Sequence, residues 1–291
     1  METKDILITG ARGHLGCYLS SESTFDYIGS LDSLTTDVLS QLKPKVIVNC
    51  AAKTDMIWCE SNREECFYNN VKAPVALFKR VRHVLGQTAV FIQISSGCIW
   101  DGPFTKYGWP FSPNVFAEPQ CVYTESKVAC ERALFEEKYK EINVPGLVVL
   151  RPRLIFSDSH SSRNLLCKLL KYENLIDDYN SFTSCETIKK AVGWYVLDAK
   201  SGQSCSTIAK THNIYDIGVS TPYSIAVKLH MAGLRTMPKK LDKSGLDAWH
   251  KPKRVNVIMQ DEEFESKINP NYLEITLDKC IKSLAVKLQG E

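Results

Sequence analysis

The sequence lacks three features that would point to particular classes of protein. Its eleven cysteines include no Cys-x-x-Cys pair, so a structural zinc site with that spacing has no support. No apolar run approaches about eighteen residues, the length that a membrane-spanning helix needs. Charge is nearly balanced, with 36 basic residues, 33 acidic residues and a formal net charge of +3. We therefore expect a small-molecule ligand, and we predict no metal, no membrane and no nucleic-acid partner.

The first residues, 1–5, also lack the apolar run of a signal peptide. Eleven cysteines would suggest disulfides in a short secreted chain, but here we expect free thiols and a cytoplasmic protein. Hydrophobic residues make up 44% and charged residues 24% of the 291 residues, which is typical of a globular protein with a full core.

Short apolar runs alternate with helical patterns in the first half of the chain. This alternation predicts an α/β fold with a Rossmann-type, doubly wound parallel sheet. We assign residues 1–155 to a dinucleotide-binding domain, to which later segments return, and residues 156–291 to a smaller, mostly helical substrate lobe. The predicted strands are 6–8, 46–48, 90–94 and 147–150, with a weak candidate at 25–28, and the predicted helices are 34–42, 71–84 and 123–139.

A glycine-rich turn follows the first strand and opens a helix, which is the context of a dinucleotide site. Gly10 is expected to permit the tight turn, Gly13 to let the backbone approach a pyrophosphate, and Gly16 to pack the helix against the sheet. The predicted cofactor contacts are Gly10, Arg12, Gly13, His14, Leu15, Gly16, Asn49, Ala51, Ala52, Lys53, Tyr123 and Lys127.

The acidic residue that usually holds the adenosine ribose about twenty residues later is missing, because 27–30 contain no carboxylate. Asp32 lies just beyond and remains an alternative. Arg12 and Lys4 add positive charge nearby. This balance favours the 2′-phosphate of NADP(H) over NAD(H).

A second motif can move a proton beside the cofactor. Tyr123 and Lys127 are four residues apart, which places the phenol and the ammonium on one face of a helix. The cation is expected to lower the pKa of the phenol, so that Tyr123 can protonate a carbonyl oxygen. Ser96, at the end of the 90–94 strand, is chosen over Ser95 to hydrogen-bond that carbonyl group.

Together these motifs resemble those of the extended short-chain dehydrogenase/reductases over nearly the whole chain. Within that group, 43–52 and 96–101 are similar to dTDP-4-dehydrorhamnose reductases. A further likeness is to the plant bifunctional nucleotide-rhamnose synthase/epimerase-reductases. It is carried by 58–60, 96–99, 123–127, 163–168 and 172–173.

The resemblance implies a nucleotide-linked 4-keto-6-deoxyhexose as substrate, epimerised at C3 and C5 and then reduced at C4 with NADPH. It implies that Cys98 and Lys168 are the acid and base of epimerisation, in an order that the sequence leaves open. The identity of the nucleotide (UDP or dTDP) and the presence of a 2-acetamido group on the sugar also stay open. The substrate contacts implied or predicted are Ser96, Gly97, Cys98, Arg163, Asn164, Lys253, Arg254 and Asn256.

Two other functions remain open at this point. One is a monofunctional 4-keto reductase in which Cys98 is inert. The other is a non-catalytic binding subunit, since the regulatory subunit of methionine adenosyltransferase resembles the same family. A homodimer formed through a pair of long helices is also compatible with the sequence.

Overall fold

The computed structural model describes residues 5–20, 31–200, 205–241, 252 and 254–289. The strands in this part of the chain are β1 (Ile6–Thr9), β2 (Val46–Asn49), β3 (Val90–Ile94), β4 (Gly146–Pro152), β5 (Ile155–Phe156), β6 (Asn174–Ile176), β7 (Thr183–Ser184), β8 (Ala209–Ile214) and β9 (Lys239–Leu241). The α-helices are α1 (His14–Ser20), α2 (Thr36–Leu42), α3 (Met56–Ser61), α4 (Arg63–Phe67), α5 (Ala73–Leu85), α6 (Val122–Tyr139), α7 (Leu165–Leu169), α8 (Cys185–Lys200), α9 (Pro222–Met231), α10 (Glu262–Ile268) and α11 (Leu273–Gln289).

Among the described residues, a parallel sheet has the strand order β1–β2–β3–β4–β8. Successive side chains of a strand point to opposite faces, so Val90 and Ile92 pack into one apolar layer and Phe91 into the other. Helices α1 and α8 contribute to the first layer, and α2, α5 and α6 to the second. Each large side chain buried this way stabilises the fold by about 1.5–3 kcal/mol.

The smaller lobe has a core of its own, to which Phe156, α7, α9 and α11 contribute. Two short parallel pairs, β5 with β7 and β6 with β9, lie in the segments around it. The chain then returns to the main sheet, because α8 packs in the core of that sheet and β8 pairs with β4. Residues 156–291 therefore do not form one continuous lobe.

The predicted α/β fold is confirmed, with all four predicted strands in place. Helix α2 begins two residues later than predicted and ends at Leu42. Lys43 there takes a left-handed φ of 45°, and Pro44 cannot continue the helix. The weak strand predicted at 25–28 lies outside the described residues.

Neither a membrane span nor a metal cluster is found in the described part of the chain. None of its helices combines the length and the low polarity needed to cross a bilayer. Nor do three or more of its His, Cys, Asp or Glu side chains converge on one metal position.

Candidate active site

The glycine turn has a shape that only glycine permits. Gly10 adopts a φ of 69°, and a Cβ there would lie 2.7 Å from the backbone nitrogen of Ala51. The Gly13 nitrogen donates to the Gly10 carbonyl oxygen at 2.8 Å. A Cβ on Gly16 would lie 2.7 Å from the carbonyl carbon of Gly10. Gly16 thus lets the start of α1 lie against Gly10, the residue that directly follows β1.

The side chains that follow the turn differ in how accessible they are. Arg12 is exposed, whereas Leu15 is buried in the main core. The Nε2 atom of His14 lies 3.4 Å from Ser157 Oγ. Burial, with a smaller contribution from nearby Lys168, lowers the pKa of His14 to about 4. His14 is therefore neutral at pH 7 and does not add charge to the turn.

Strand β2 ends against this turn. Asn49 is fully buried, and its amide hydrogen-bonds Thr9 Oγ1 at 2.5 Å and Gln93 Oε1 at 2.8 Å. The side chain of Asn49 therefore joins β2 to its neighbours β1 and β3. Asp32, the alternative ribose partner, accepts a hydrogen bond from Tyr68 at 3.3 Å.

Ser96, Tyr123 and Lys127 come together at the carboxyl end of β3. The Tyr123 hydroxyl group shares a hydrogen bond with Ser96. Lys127 is 3% exposed, and its Nζ donates to the Ile94 carbonyl oxygen at 3.1 Å and lies 5.8 Å from the centroid of the Tyr123 ring. Ser95 instead donates to Glu131. The geometry thus fits the choice of Ser96 over Ser95.

One electrostatic expectation for Tyr123 is wrong. Burial raises the pKa of its phenol well above the usual range, nearby Cys98 raises it further, and the hydrogen bond with Ser96 only partly opposes this. Burial also lowers the pKa of Lys127 itself. Desolvation outweighs the cation, so Tyr123 keeps its proton at neutral pH and can act as a proton donor.

Helix α6, which carries Tyr123 and Lys127, is held from two directions. At its start, the Val122 nitrogen donates to Glu60 Oε1 at 2.8 Å. One turn further, Ser126 Oγ accepts from Asn70 Nδ2 at 3.0 Å. The same Asn70 amide binds both the nitrogen and the oxygen of Lys53, at 2.8 and 2.9 Å. Asn70 lies in the π-helical segment Tyr68–Lys72 and links the loop after β2 to the helix of the tyrosine.

Cys98 lies beside Ser96 in the loop after β3. Its backbone nitrogen donates to Ser96 Oγ at 3.1 Å, and Arg153 Nη1 donates to its sulfur at 2.9 Å. Gly97 lies between them, and a Cβ there would displace the end of the Met259 side chain. The thiol is thereby fixed close to Tyr123.

Lys168, at the end of α7, belongs to a second group of charges. Partial burial lowers the pKa of its amine, and the positive charges of Arg254 and Arg163 lower it further, against the opposing effect of Asp55. Arg163 also donates to the Arg12 carbonyl oxygen at 3.1 Å. This group therefore borders the glycine turn, and a lowered pKa suits an amine that accepts a proton.

The predicted substrate contact of Asn164 is wrong. Its side chain is fully buried, where it caps α7 and donates to the carbonyl oxygens of Ser157 and Ser159 at 2.8 and 2.7 Å. Asn164 instead fixes the start of the helix that carries Lys168. Asn256 lines a cavity of about 380 Å³ with Tyr179 and Phe104, whereas the predicted contact Lys253 lies outside the described residues.

Sequence reasoning missed Arg153, Asn70 and Glu60. Arg153 directly follows β4, and the carboxyl ends of parallel strands are where ligands bind, so its position carried a usable signal. Asn70 and Glu60 act through contacts 56 and 62 residues away along the chain, which no local pattern shows.

The arrangement fits a dinucleotide and a carbonyl substrate. The glycine turn lies directly against the backbone of Cys50 and Ala51, a close approach that a Cβ on Gly10 would prevent. A protonated phenol and a thiol stand at the end of the adjacent strand β3. Such a site can position a ketone and give a proton to its oxygen.

The known proteins that are similar to this chain include both enzymes and a subunit of another enzyme. A bifunctional dTDP-4-dehydrorhamnose 3,5-epimerase/dTDP-4-dehydrorhamnose reductase from Arabidopsis thaliana is 29% identical over 194 residues, which cover 62% of this chain and 62% of that protein. A methionine adenosyltransferase 2 subunit beta from Xenopus tropicalis is 31% identical over 166 residues, or 55% of this chain and 46% of that protein. The chain thus spans less than two thirds of the length of these relatives.

Solved structures agree on the fold. The dTDP-4-dehydrorhamnose reductase of Bacillus anthracis, in complex with NADP, matches with a TM-score of 0.77 at 14% identity, over 98% of this chain and 99% of that chain. At this identity the likeness establishes the fold alone. Residues 4–178 match the RmlD substrate binding domain. This match covers more than half of the 291 residues, so the protein belongs to the RmlD substrate binding domain family, as the sequence motifs predicted.

Proposed function

We propose that this protein is an NADPH-dependent reductase of a nucleotide-linked 4-keto-6-deoxyhexose and also its 3,5-epimerase, giving an L-rhamnose-type sugar nucleotide. The observation that carries this proposal is the position of Tyr123, a protonated phenol flanked by Ser96 and Cys98 at the end of β3. The Arabidopsis relative, named for both activities, supports the pairing.

Reduction needs a proton donor and a group that orients the ketone. When bound, NADPH supplies a hydride to C4. Tyr123 gives its proton to the C4 oxygen, and Ser96 orients that oxygen by hydrogen bonding. Lys127 fixes α6 to the end of β3, because its ammonium group donates to the Ile94 carbonyl oxygen.

Epimerisation needs a base on one side of the sugar and an acid on the other, because the protons at C3 and C5 are acidic beside the C4 ketone. Lys168 is the better base, since its pKa is lowered by partial burial and by Arg254. Cys98, held next to Ser96, then returns a proton to the carbon. Reduction must come last, because it removes the ketone that makes these protons acidic.

NADPH is preferred over NADH on two grounds. No carboxylate stands at 27–30, where an acidic residue would bind the ribose hydroxyls, and Arg12 is exposed next to the turn. The Bacillus anthracis neighbour was solved with NADP. The glycine turn would hold the pyrophosphate, and Arg12 would pair with the 2′-phosphate.

The first test separates epimerisation from reduction. In deuterated water without NADPH, the wild-type protein should incorporate deuterium at C3 and C5 of dTDP- or UDP-4-keto-6-deoxyglucose. Cys98→Ser should lower this exchange at least ~10-fold at the carbon that the thiol serves, because the hydroxyl group of serine is a much weaker acid. Exchange is measured by NMR or mass spectrometry.

Cys17→Ser is the matched control, because Cys17 is an exposed thiol away from these contacts. Its exchange rate should equal that of the wild type. If the wild-type protein incorporates no deuterium but does oxidise NADPH with the same substrate, it is a monofunctional reductase and the epimerase proposal fails.

The second test uses pH. If Lys168 is the base, only its neutral form acts, so the exchange rate should rise up to ~10-fold per pH unit below its pKa. Because burial and Arg254 lower this pKa from 10.5, the rise should level off earlier than for an ordinary lysine. Arg254→Gln removes one lowering charge, so its kcat profile should shift to higher pH. An identical profile in the variant would contradict Lys168 as the base.

A binding subunit is the second candidate, favoured by the likeness to the methionine adenosyltransferase 2 subunit beta. The same two assays decide it. If the wild-type protein neither exchanges deuterium nor oxidises NADPH with either sugar nucleotide, the reductase and the epimerase both fail and the binding function gains support.

A further inference from the structure

Arg153 is a buried cation in contact with Cys98. It directly follows β4, is 2% exposed, and its backbone nitrogen donates to Thr183 Oγ1 at 2.8 Å. Its Nε donates to Asn180 Oδ1 at 3.1 Å, and its Nη2 donates to Asn180 and to the Val255 carbonyl oxygen. The guanidinium therefore joins the end of the sheet to the segments at 180 and 255.

The remaining terminal nitrogen, Nη1, points to Cys98 and donates to its sulfur at 2.9 Å. Among the described residues, no carboxylate forms an ion pair with Arg153, so its close partners are two neutral oxygens and this thiol. A buried cation without an anion is costly, and a negative charge on the sulfur would remove much of that cost. Burial correspondingly lowers the pKa of Arg153, and Cys98 opposes the change.

We propose that Arg153 is a positioning residue, which fixes the place of the Cys98 sulfur and provides its counter-charge once the thiol has given up its proton. The contribution to epimerisation rests on the proposed function, whereas the effect on the sulfur does not. In the step concerned, the S–H bond of Cys98 breaks as a C–H bond forms at the deprotonated sugar carbon. The electron pair stays on sulfur, next to the guanidinium, and no oxidant or reductant is needed.

The geometry explains why an arginine stands there. A lysine ammonium is a point charge and could not donate to Asn180, Val255 and Cys98 in one plane, whereas the guanidinium fork does. Asn180 Oδ1 also accepts from the Val257 nitrogen at 3.1 Å, so the oxygen that binds the guanidinium is itself held in place. Movement of the sulfur away from the guanidinium is thereby restricted.

The test measures the reactivity of Cys98 itself, without any sugar nucleotide. Uncharged iodoacetamide alkylates thiolates, and peptide mass spectrometry resolves Cys98 from the other cysteines. At pH 7, Arg153→Met should lower the alkylation rate of Cys98 ~10-fold, because the counter-charge is gone. Arg153→Lys keeps the charge and should stay within ~3-fold of the wild type. Melting temperatures of both variants show whether they are folded.

A measurement on the wild type alone keeps the proposal testable if Arg153→Met does not fold. Anionic iodoacetate is attracted by a guanidinium beside the sulfur, so the rate ratio of iodoacetate to iodoacetamide should be several-fold higher at Cys98 than at the exposed Cys17. Equal ratios at the two thiols would overturn the proposal, as would unchanged alkylation in a folded Arg153→Met.

The catalytic readout follows separately. Arg153→Met should lower kcat for deuterium exchange ~10-fold, and this loss should exceed any loss in NADPH-dependent reduction of already epimerised dTDP-4-dehydrorhamnose. If instead only the KM for the sugar nucleotide rises, Arg153 binds substrate and the positioning role is wrong. If the wild type shows no exchange, the epimerase proposal fails while the alkylation result still decides the role of Arg153.

Discussion

A Tyr123→Phe variant is expected to reduce the 4-keto sugar nucleotide ~100- to 10,000-fold more slowly than the wild type, the usual contribution of a positioned general acid. The ring is 9% exposed and packs with Cys59 and Cys121, so phenylalanine should keep the fold. The loss should appear in kcat, measured by NADPH oxidation, with Kd for NADPH changed less than ~3-fold. Deuterium exchange at C3 and C5 should persist, because it precedes reduction.

Tyr139→Phe is the matched control on the same helix. Tyr139 is 71% exposed and stacks on Phe135, so loss of its hydroxyl group should leave kcat within ~2-fold. Should Tyr123→Phe keep the wild-type rate, Tyr123 is not the donor. Loss of both reduction and exchange with an intact fold would instead mean that Tyr123 also serves the epimerisation.

Gly16→Ala is expected to lower kcat/KM for NADPH by on the order of 100-fold, the scale of an ångström-sized misplacement in a site. A Cβ on Gly16 would press on backbone atoms of Gly10 and Ala11, which cannot rotate away as a side chain can. Overpacking of this kind costs about 3 kcal/mol at the upper end of its usual range. For a chain of this size that corresponds to a fall in Tm of roughly 6–12 °C.

Gly193→Ala controls for the added methyl group. Gly193 lies in α8, where a Cβ would meet nothing within 4 Å. Alanine favours a helix over glycine by about 0.5–1 kcal/mol, so this variant should be as stable as the wild type or slightly more stable, with unchanged NADPH kinetics. A Gly16→Ala protein with wild-type Tm and NADPH affinity would contradict the prediction, because the turn would then accommodate the added methyl group.

The sheet could be predicted because its strands are short apolar runs that are buried on both faces, as 90–94 and 147–150 illustrate. Helix α6 was predicted almost to the residue, from 123–139 against the observed Val122–Tyr139. The return of β8 to the main sheet was harder to assign from sequence. Residues 209–214 mix polar and apolar types, and their pairing with β4 depends on tertiary contacts.

The candidate site was only partly predictable. The motifs predicted Ser96, Tyr123 and Lys127 as one group, and the structure places the three side chains close together, while their catalytic roles stay predictions. Sequence could not give the degree of burial, which reversed the expected direction of the pKa shift at Tyr123. Asn164, predicted as a substrate contact, is buried and caps a helix. Both outcomes depend on neighbours far along the chain.

The burial of Tyr123 also bears on how the two directions of the proposed reaction depend on pH. Reduction of a ketone consumes the phenolic proton, and the raised pKa keeps that proton in place at neutral pH. Oxidation of the product alcohol would need the tyrosinate form to accept a proton, and that form is scarce until the pH is high. The free protein therefore carries the proton that the proposed reduction consumes, and oxidation of the product alcohol is expected to speed up as the pH rises toward the raised pKa of Tyr123.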